Sequence, residues 1–351
     1  MRSEDIAKLA GVSRSTVSRV INNYANVPEK TRAKVMKVIE ENHYEPNTSA
    51  RVLAGKGMNT IGLFVVSTAE LHNPNRIYQN SYFAPFVETI VDTLNRLGYY
   101  VLIHTVYSED DFLKVKQAFL QKRIDGGIIV GTEKNDGMVR AIAKLKLPFV
   151  LIDYDIAELL EHRLDKEYAA VVNSKDYEGA AMAVRYLIEH GHERIGFVSG
   201  RLNTLSGRER RQAFVDTMQE HGLKVPEEWV VNGLFIRQKA YEEVKRMLEN
   251  NRPTAIFAAN DEMALGAMDA CRELGLRIPG DISIIGFDDI PIASQLSPAL
   301  TTVRLPIYEM SQAAAQHVVE MCEQGSGSFS TMSFPTRLMV RETCKSLKLN
   351  E

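Results

Sequence analysis

Asp5-Ile6-Ala7-Lys8-Leu9-Ala10-Gly11-Val12-Ser13-Arg14-Ser15-Thr16-Val17-Ser18-Arg19-Val20-Ile21-Asn22 reads as two short helices on either side of a turn at Gly11. That is the pattern of a helix-turn-helix. Ile6, Leu9, Ala10, Val12, Val17, Val20 and Ile21 fall at helical spacing and are expected to close a small core, leaving Ser13, Arg14, Ser15, Thr16, Ser18 and Arg19 outward. Ser13 can cap the second helix, and no carboxylate stands between the two arginines. Such a face suits a phosphate backbone and base edges. Two plain surface helices would share the periodicity; the glycine turn, the serine cap and the unaccompanied arginines favour nucleic acid.

A third helix is expected from Pro28, suited to a first helical turn, to about Asn42, with Val35, Val38 and Ile39 turned toward the first two. Pro46 then breaks the chain. Asn47-Thr48-Ser49-Ala50-Arg51-Val52-Leu53-Ala54-Gly55 looks like a short helix with an asparagine cap and a glycine stop, too short to be stable alone. Charge is divided at about Met58: residues 1–58 hold ten Lys/Arg against six Asp/Glu, a balance of +4, and the rest of the 351 residues carries −7. A polyanion-binding module on a body that does not bind nucleic acid over its whole surface fits this division.

From Thr60 apolar runs alternate with amphipathic helices: Ile61 to Val66, Val101 to His104, Gly127 to Val130, Phe149 to Ile152, Ala169 to Val172, Ile195 to Val198, Ala255 to Ala258 and Ile282 to Phe287. Alternation of this kind predicts α/β architecture with parallel sheets covered by helices. The polar stretch Asp153 to Glu167, followed by a fresh strand-helix series, predicts two similar lobes rather than one large sheet. Segments near Thr301 to Val303 and Arg337 to Val340 are expected to complete one lobe each.

Several function classes find little support. No apolar run is long enough to cross a bilayer and no signal peptide is evident, so a cytoplasmic location is expected. Cys271, Cys322 and Cys344 are odd in number and widely spaced, which indicates neither a disulfide framework nor a zinc site. No phosphate-binding glycine motif stands at a strand-to-helix turn, and no Gly-x-Ser-x-Gly elbow occurs, so no cofactor and no hydrolase is indicated.

With these elements in place the chain resembles the lactose-repressor (LacI/GalR-type) family of bacterial transcription regulators over nearly its whole length. The blocks that carry the resemblance are Asp5-Ile6-Ala7 through Val17-Ser18-Arg19-Val20, Tyr44-Glu45-Pro46-Asn47 with Ala50-Arg51-Val52-Leu53, Asn260-Asp261-Glu262-Met263-Ala264-Leu265-Gly266, and Gly286-Phe287-Asp288-Asp289. The resemblance implies a helix-turn-helix head at 1–46, a hinge helix and linker at 47–58, and a periplasmic-binding-protein-like effector and dimerisation body at 59–345. Lobe 1 of that body is expected at about 59–160 plus 293–324, and lobe 2 at about 161–292 plus 325–345.

By the same resemblance Arg14, Ser15 and Arg19 read bases in the major groove of a palindromic operator. Ser13, Thr16, Ser18, Asn22, Asn26, Thr31 and Tyr44 grip phosphates or border the groove. Asn47, Ala50, Arg51 and Leu53 belong to the hinge, whose leucine wedges between base pairs from the minor groove. Tyr82, Phe83, Asp153, Arg210, Phe235, Asn260 and Asp288 line an effector cleft, where guanidinium, carboxylate and amide bracket vicinal hydroxyls.

A dimeric repressor released by a sugar is the expectation. The same fold with a purine-like co-repressor, or with a phosphorylated partner protein, is the alternative. A sugar-binding transport component would keep the cleft and lack the head, and a sugar-modifying enzyme would need a paired acid and base. Two departures are visible: Ser67 to Gln79 is longer and more polar than is usual at that point, and the tail after Cys344 lacks the leucine heptad on which some members form tetramers.

Overall fold

The computed structural model describes residues 1–21, 24–44, 57–67, 81–131, 137–161, 168–325 and 329–348. The expected hinge, with Asn47, Ala50, Arg51 and Leu53, lies outside the described residues, as do Asn22 and nearly all of the Ser67 to Gln79 stretch. Two compact units divide the chain, Met1–Met58 and Asn59–Glu351.

Among the described residues the first unit holds three helices: α1 (Ser3–Ala10), α2 (Arg14–Ile21) and α3 (Glu29–Glu41). Gly11 ends α1 with φ +59°, and its N–H reaches the carbonyls of Ala7 and Lys8, a left-handed cap that glycine adopts without strain. Ser13 caps α2 by accepting the Thr16 N–H at 3.1 Å. Ile6, Ala7, Ala10, Val17, Val20, Val27 and Val35 form the core, with Val12, Ile21, Val38, Ile39 and Tyr44 packed around it. Leu9 does not join them; it is 57% exposed. An eight-residue helix touching two small partners buries one narrow stripe, and Ile6, Ala7 and Ala10 already fill it.

The second unit holds two six-stranded sheets. Sheet 1 has the order β11-β5-β4-β3-β1-β2. Its strands are β1 (Thr60–Val66), β2 (Tyr100–Val106), β3 (Gly126–Val130), β4 (Phe149–Ile152), β5 (Ala169–Ser174) and β11 (Ser330–Phe334). Sheet 2 has the order β12-β10-β9-β8-β6-β7. It comprises β6 (Ile195–Ser199), β7 (Val230–Asn232), β8 (Ala255–Ala258), β9 (Ser283–Asp288), β10 (Thr301–Arg304) and β12 (Arg337–Met339).

Every pairing is parallel except β10 with β12. The central strands β3, β4, β6, β8 and β9 are buried throughout, as expected where helices cover both faces of a parallel sheet. The helices are α4 (Phe83–Arg96), α5 (Glu109–Leu120), α6 (Gly137–Ala143), α7 (Ile156–Glu161), α8 (Asp176–Glu189), α9 (Leu205–Glu220), α10 (Arg237–Asn250), α11 (Asp261–Glu273) and α12 (Ile307–Gln324). Among the described residues no helix is long and apolar enough to cross a membrane.

Two expectations about the lobes need correction. Both late segments, at 301–304 and 337–339, belong to sheet 2, and sheet 1 is completed instead by β11. The polar stretch after Ile152 does not separate the lobes either, because β4 and β5 on its two sides are hydrogen-bonded neighbours in sheet 1. The chain crosses between lobes at 174–176, 304–307 and 334–337. The expected boundaries near 161, 293 and 325 therefore fall inside lobes. Crossovers of three or four residues are too short to show a composition change, whereas the stretch after Ile152, which includes α7, is long enough to do so.

Candidate functional site

The first unit presents a polar helix face. Ser13, Arg14, Ser15, Ser18 and Arg19 are exposed and Thr16 is half-buried, so neither arginine is packed inward. The Ser13 hydroxyl lies 2.7 Å from that of Ser15 and 2.9 Å from that of Thr16, forming a compact cluster at the start of α2. Arg14 is held back toward α1, pairing with Glu4 at 3.2 Å and donating to the Ser3 hydroxyl at 3.3 Å. Arg19 has no ion-pair partner among the described residues. Asn26 is exposed and Thr31 half-buried on the same unit, while the Tyr44 ring packs against its core.

In the second unit a cleft of about 500 Å³, open mouth included, lies between the lobes. All seven expected effector residues line it: Tyr82 and Phe83 at the start of α4, Asp153 after β4, Arg210 on α9, Phe235 after β7, Asn260 before α11 and Asp288 at the end of β9. They come together because every one but Arg210 and the two aromatics of α4 follows a strand's carboxyl end, where open α/β sheets place their ligands. Arg210 enters from α9, one and a half turns into the helix that follows β6.

Arg210 is buried and held by three partners. Its Nε and Nη2 each meet Asp176 Oδ2 at 2.8 Å, and Nη1 donates to the Ala259 carbonyl at 2.6 Å and to Asp288 Oδ1 at 3.2 Å. Its carbon centre sits 3.8 Å from the Phe287 ring centroid and 5.9 Å from that of Phe235. Burial alone would lower its pKa, but the Asp176 and Asp288 charges raise it above the ordinary arginine value. Every one of these partners is on lobe 2, so the ion pair does not cross the cleft.

The carboxylates differ. Burial raises Asp288 well above the ordinary range despite Arg210. Burial, then the Asp176 charge, raises Asp153 to about 6, with Ser206 and Arg210 pulling the other way. Behind them Asp261, fully buried and raised by burial to about 7, takes Thr302 Oγ1 at 2.6 Å and the Ile290 N–H at 2.9 Å. Asn260, a lining residue of the cleft, turns its carbonyl to the Met263 N–H at 2.9 Å as the cap of α11.

Backbone shape supports the aromatics. Leu234 and Phe235 both adopt left-handed φ, +55° and +63°, and the ring lies against Gly200, where a Cβ would meet Phe235 Cζ at 2.0 Å. Gly131, at φ +90°, lets β3 pass the Val66 carbonyl and the Phe83 ring. Tyr82 packs edge-on to Phe83 and Phe86, with centroids at 5.2 and 5.3 Å.

Sequence reasoning missed Asp176, Arg201, Thr204 and Ser206. The last three line the cleft from the β6–α9 connection, whereas Asp176 stands behind Arg210. Asp176 follows the carboxyl end of β5 by two residues, the same sort of position as Asp153 and Asp288, and that placement was the available signal. Among the described residues no His/Cys/Asp/Glu group could hold a metal ion.

Comparison with known proteins agrees with both units. The family model for bacterial regulatory proteins of the lacI family matches residues 4–47, and the periplasmic binding protein-like domain matches residues 184–344. The HTH-type transcriptional repressor PurR of Pasteurella multocida is 32% identical over 346 residues, 98% of each chain. The PurR of Proteus mirabilis is 34% identical, covering 97% of this chain and 96% of its own. Among solved structures, the lac repressor dimer bound to operator and the anti-inducer ONPF superimposes with a TM-score of 0.79 at 28% identity, and the transcriptional regulator CelR–cellobiose complex with 0.74 at 26%; each covers 98% of this chain and 99% of its own. A helix-turn-helix head with its arginines outward, a two-lobed body with a cleft at the strand ends, and relatives above 30% identity over almost the full length show that the chain belongs to the lacI family of bacterial regulatory proteins and is a DNA-binding transcriptional regulator.

Proposed function

We propose that this regulator is a homodimeric repressor of carbohydrate-utilisation genes, released from a palindromic operator when a sugar occupies the interlobe cleft. The observation that carries the sugar reading is the Arg210–Asp288 pair beside the Asn260 amide and the Phe235 ring. Carboxylate acceptors and amide donors suit vicinal hydroxyls, and an aromatic face suits the apolar side of a pyranose. Arg14, Ser15 and Arg19 read base edges, each arginine contact with guanine contributing about 1 to 3 kcal/mol of discrimination. Ser13, Thr16, Ser18, Asn26 and Thr31 fix register on the backbone, and the segment with Asn47, Ala50, Arg51 and Leu53 enters the minor groove.

Pairing of two copies is supported by the edge of sheet 1, where β2 is the outermost of the described strands and Leu97, Tyr100, Leu102 and Ile103 expose apolar surface. Effector occupancy acts by favouring one lobe arrangement, and its leverage equals its difference in affinity for the two. Gel shifts with and without sugars test the proposal: a sugar that releases operator supports it, and Arg210→Ala should leave operator binding intact while abolishing the response. The PurR repressors at 32 to 34% identity favour a second reading, a purine-like co-repressor. In that case hypoxanthine or guanine, rather than a sugar, changes the shift, and strengthens it.

A further inference from the structure

Asp288 ends β9 in a backbone conformation that residues with a side chain rarely adopt. Its φ is +113° and that of Asp289 is +58°, two consecutive non-glycine residues in a region that costs free energy unless the surroundings hold it. Two carboxyl groups do the holding. That of Asp261, wholly buried, takes the Ile290 N–H at 2.9 Å and the Thr302 hydroxyl at 2.6 Å, and the Asp289 N–H also donates to it. It reaches β9 because Gly286 has no side chain; a Cβ there would lie 2.1 Å from Asp261 Oδ1. The Asp289 carboxylate, only 4% exposed, lies between two arginines: Arg304 Nε donates to Oδ2 at 2.6 Å and Arg341 Nη2 to Oδ1 at 2.6 Å.

Both arginines come from chain that borders a lobe crossover. Arg304 is the last residue of β10 and the register partner of Asp288, and the chain passes to lobe 1 directly after it. Arg341 follows β12, whose start closes the crossover at 334–337, and it is fixed in turn by its Nη1 bond to the Leu300 carbonyl at 2.7 Å. Asp289, Arg304 and Arg341 stand outside the lining of the cleft, so their part in recognition is indirect. We propose that Asp289 is a positioning residue for effector recognition: clamped by Arg304 and Arg341, it locks the turn that aims Asp288 at the cleft and ties that turn to the strands beside two crossovers. The inference rests on the cleft being the effector site. Removing the Asp289 charge leaves both arginines without their shared acceptor. The turn then relaxes toward ordinary φ and carries Asp288 away from its place 3.2 Å from Arg210 Nη1.

The test begins on the ligand-free full-length protein with hydrogen exchange read by mass spectrometry. Peptides over residues 285–296 should be protected in the wild type by the Asp289 and Ile290 N–H bonds to Asp261. Asp289→Asn should speed exchange there at least about tenfold while peptides of β6 and α9 keep wild-type rates. Equal rates over 285–296 in both proteins overturn the positioning role. Should Asp289→Asn not fold, Arg304→Gln, a change at an exposed side chain, decides in its place: exchange about threefold faster supports the clamp, and no change overturns it. Calorimetry with hypoxanthine, guanine, glucose, ribose and cellobiose reads the consequence for binding. For whichever of these the wild type binds, Asp289→Asn should weaken affinity at least about tenfold. In an Asp288→Asn background the same change should cost nothing further, because its effect runs through Asp288. A loss that persists in that background overturns the proposal. Undiminished affinity in Asp288→Asn alone overturns the reading of the cleft instead.

Discussion

Ser206 donates its hydroxyl to Asp153 across the cleft, Oγ to Oδ2 at 2.8 Å, so a residue at the start of α9 in lobe 2 is bonded to one at the end of β4 in lobe 1. Two residues further along each chain the contact repeats as an ion pair, Arg208 to Asp155 at 2.7 Å. The lobes are thus tied directly at the cleft rim.

Asp153 makes that tie sensitive to pH. Burial raises its pKa to about 6, whereas the unfolded chain releases the same proton near 3.9. Between those values the folded state binds more protons, so this residue's contribution is fully present below about pH 4 and lost as pH rises through about 6. Asp153→Asn should therefore match the wild type at pH 4 and exceed it at pH 7.5 by up to about 3 kcal/mol, measured by urea unfolding. A difference that does not change with pH would count against the assignment.

Glu4 restrains one of the two outward arginines through its 3.2 Å pair with Arg14. Both side chains are exposed, so the pair is weak and screened by salt. Glu4→Gln should tighten operator binding by up to about fivefold at low ionic strength, with the gain shrinking as salt is added. Fluorescence anisotropy measures it, and the gain should be absent in an Arg14→Ala background.

How far the sequence alone reaches is visible in particular residues. Gly11, Ser13 and Pro28 announced the helix ends of the head because each satisfies a local backbone requirement, independent of what packs later. β3 and β4 were legible as unbroken apolar runs because both faces are covered. β7 is two half-buried residues and an exposed one, and β11, Ser330–Phe334, alternates half-buried and exposed positions at a sheet edge; neither offers a buried apolar run. The cleft residues were reached through family resemblance, not through chemistry in one dimension. Asp176 carried one signal, its place two residues after β5, but its pairing with Arg210, 34 residues away, is not written in one dimension.

Phe235 depends on Gly200 having no side chain, for a Cβ there would lie 2.0 Å from Cζ and 2.2 Å from Cε1 of the ring. Gly200→Ala should displace the ring and lower effector affinity at least about tenfold, the order of one lost aromatic contact. Folding should survive, reported by the emission of Trp229, the single tryptophan, buried in lobe 2. In a Phe235→Ala background the same glycine change should cost nothing further; an additional loss there would show that Gly200 acts by another route.

Ile6 and Leu9 differ sharply in burial, 0% against 57%, although both fall at apolar positions of α1. Ile6→Ala empties a site enclosed by Val17, Val20 and Val35 and should destabilise the head by about 2 to 5 kcal/mol. Leu9→Ala removes surface methyls and should stay within about 0.5 kcal/mol. Hydrogen exchange of the α1 to α3 amides separates the two, since it reads the head without requiring the body to unfold. A substantial loss of protection in Leu9→Ala would mean that this leucine is covered in solution. Its exposed methyls would then belong to a contact that the three helices by themselves do not make.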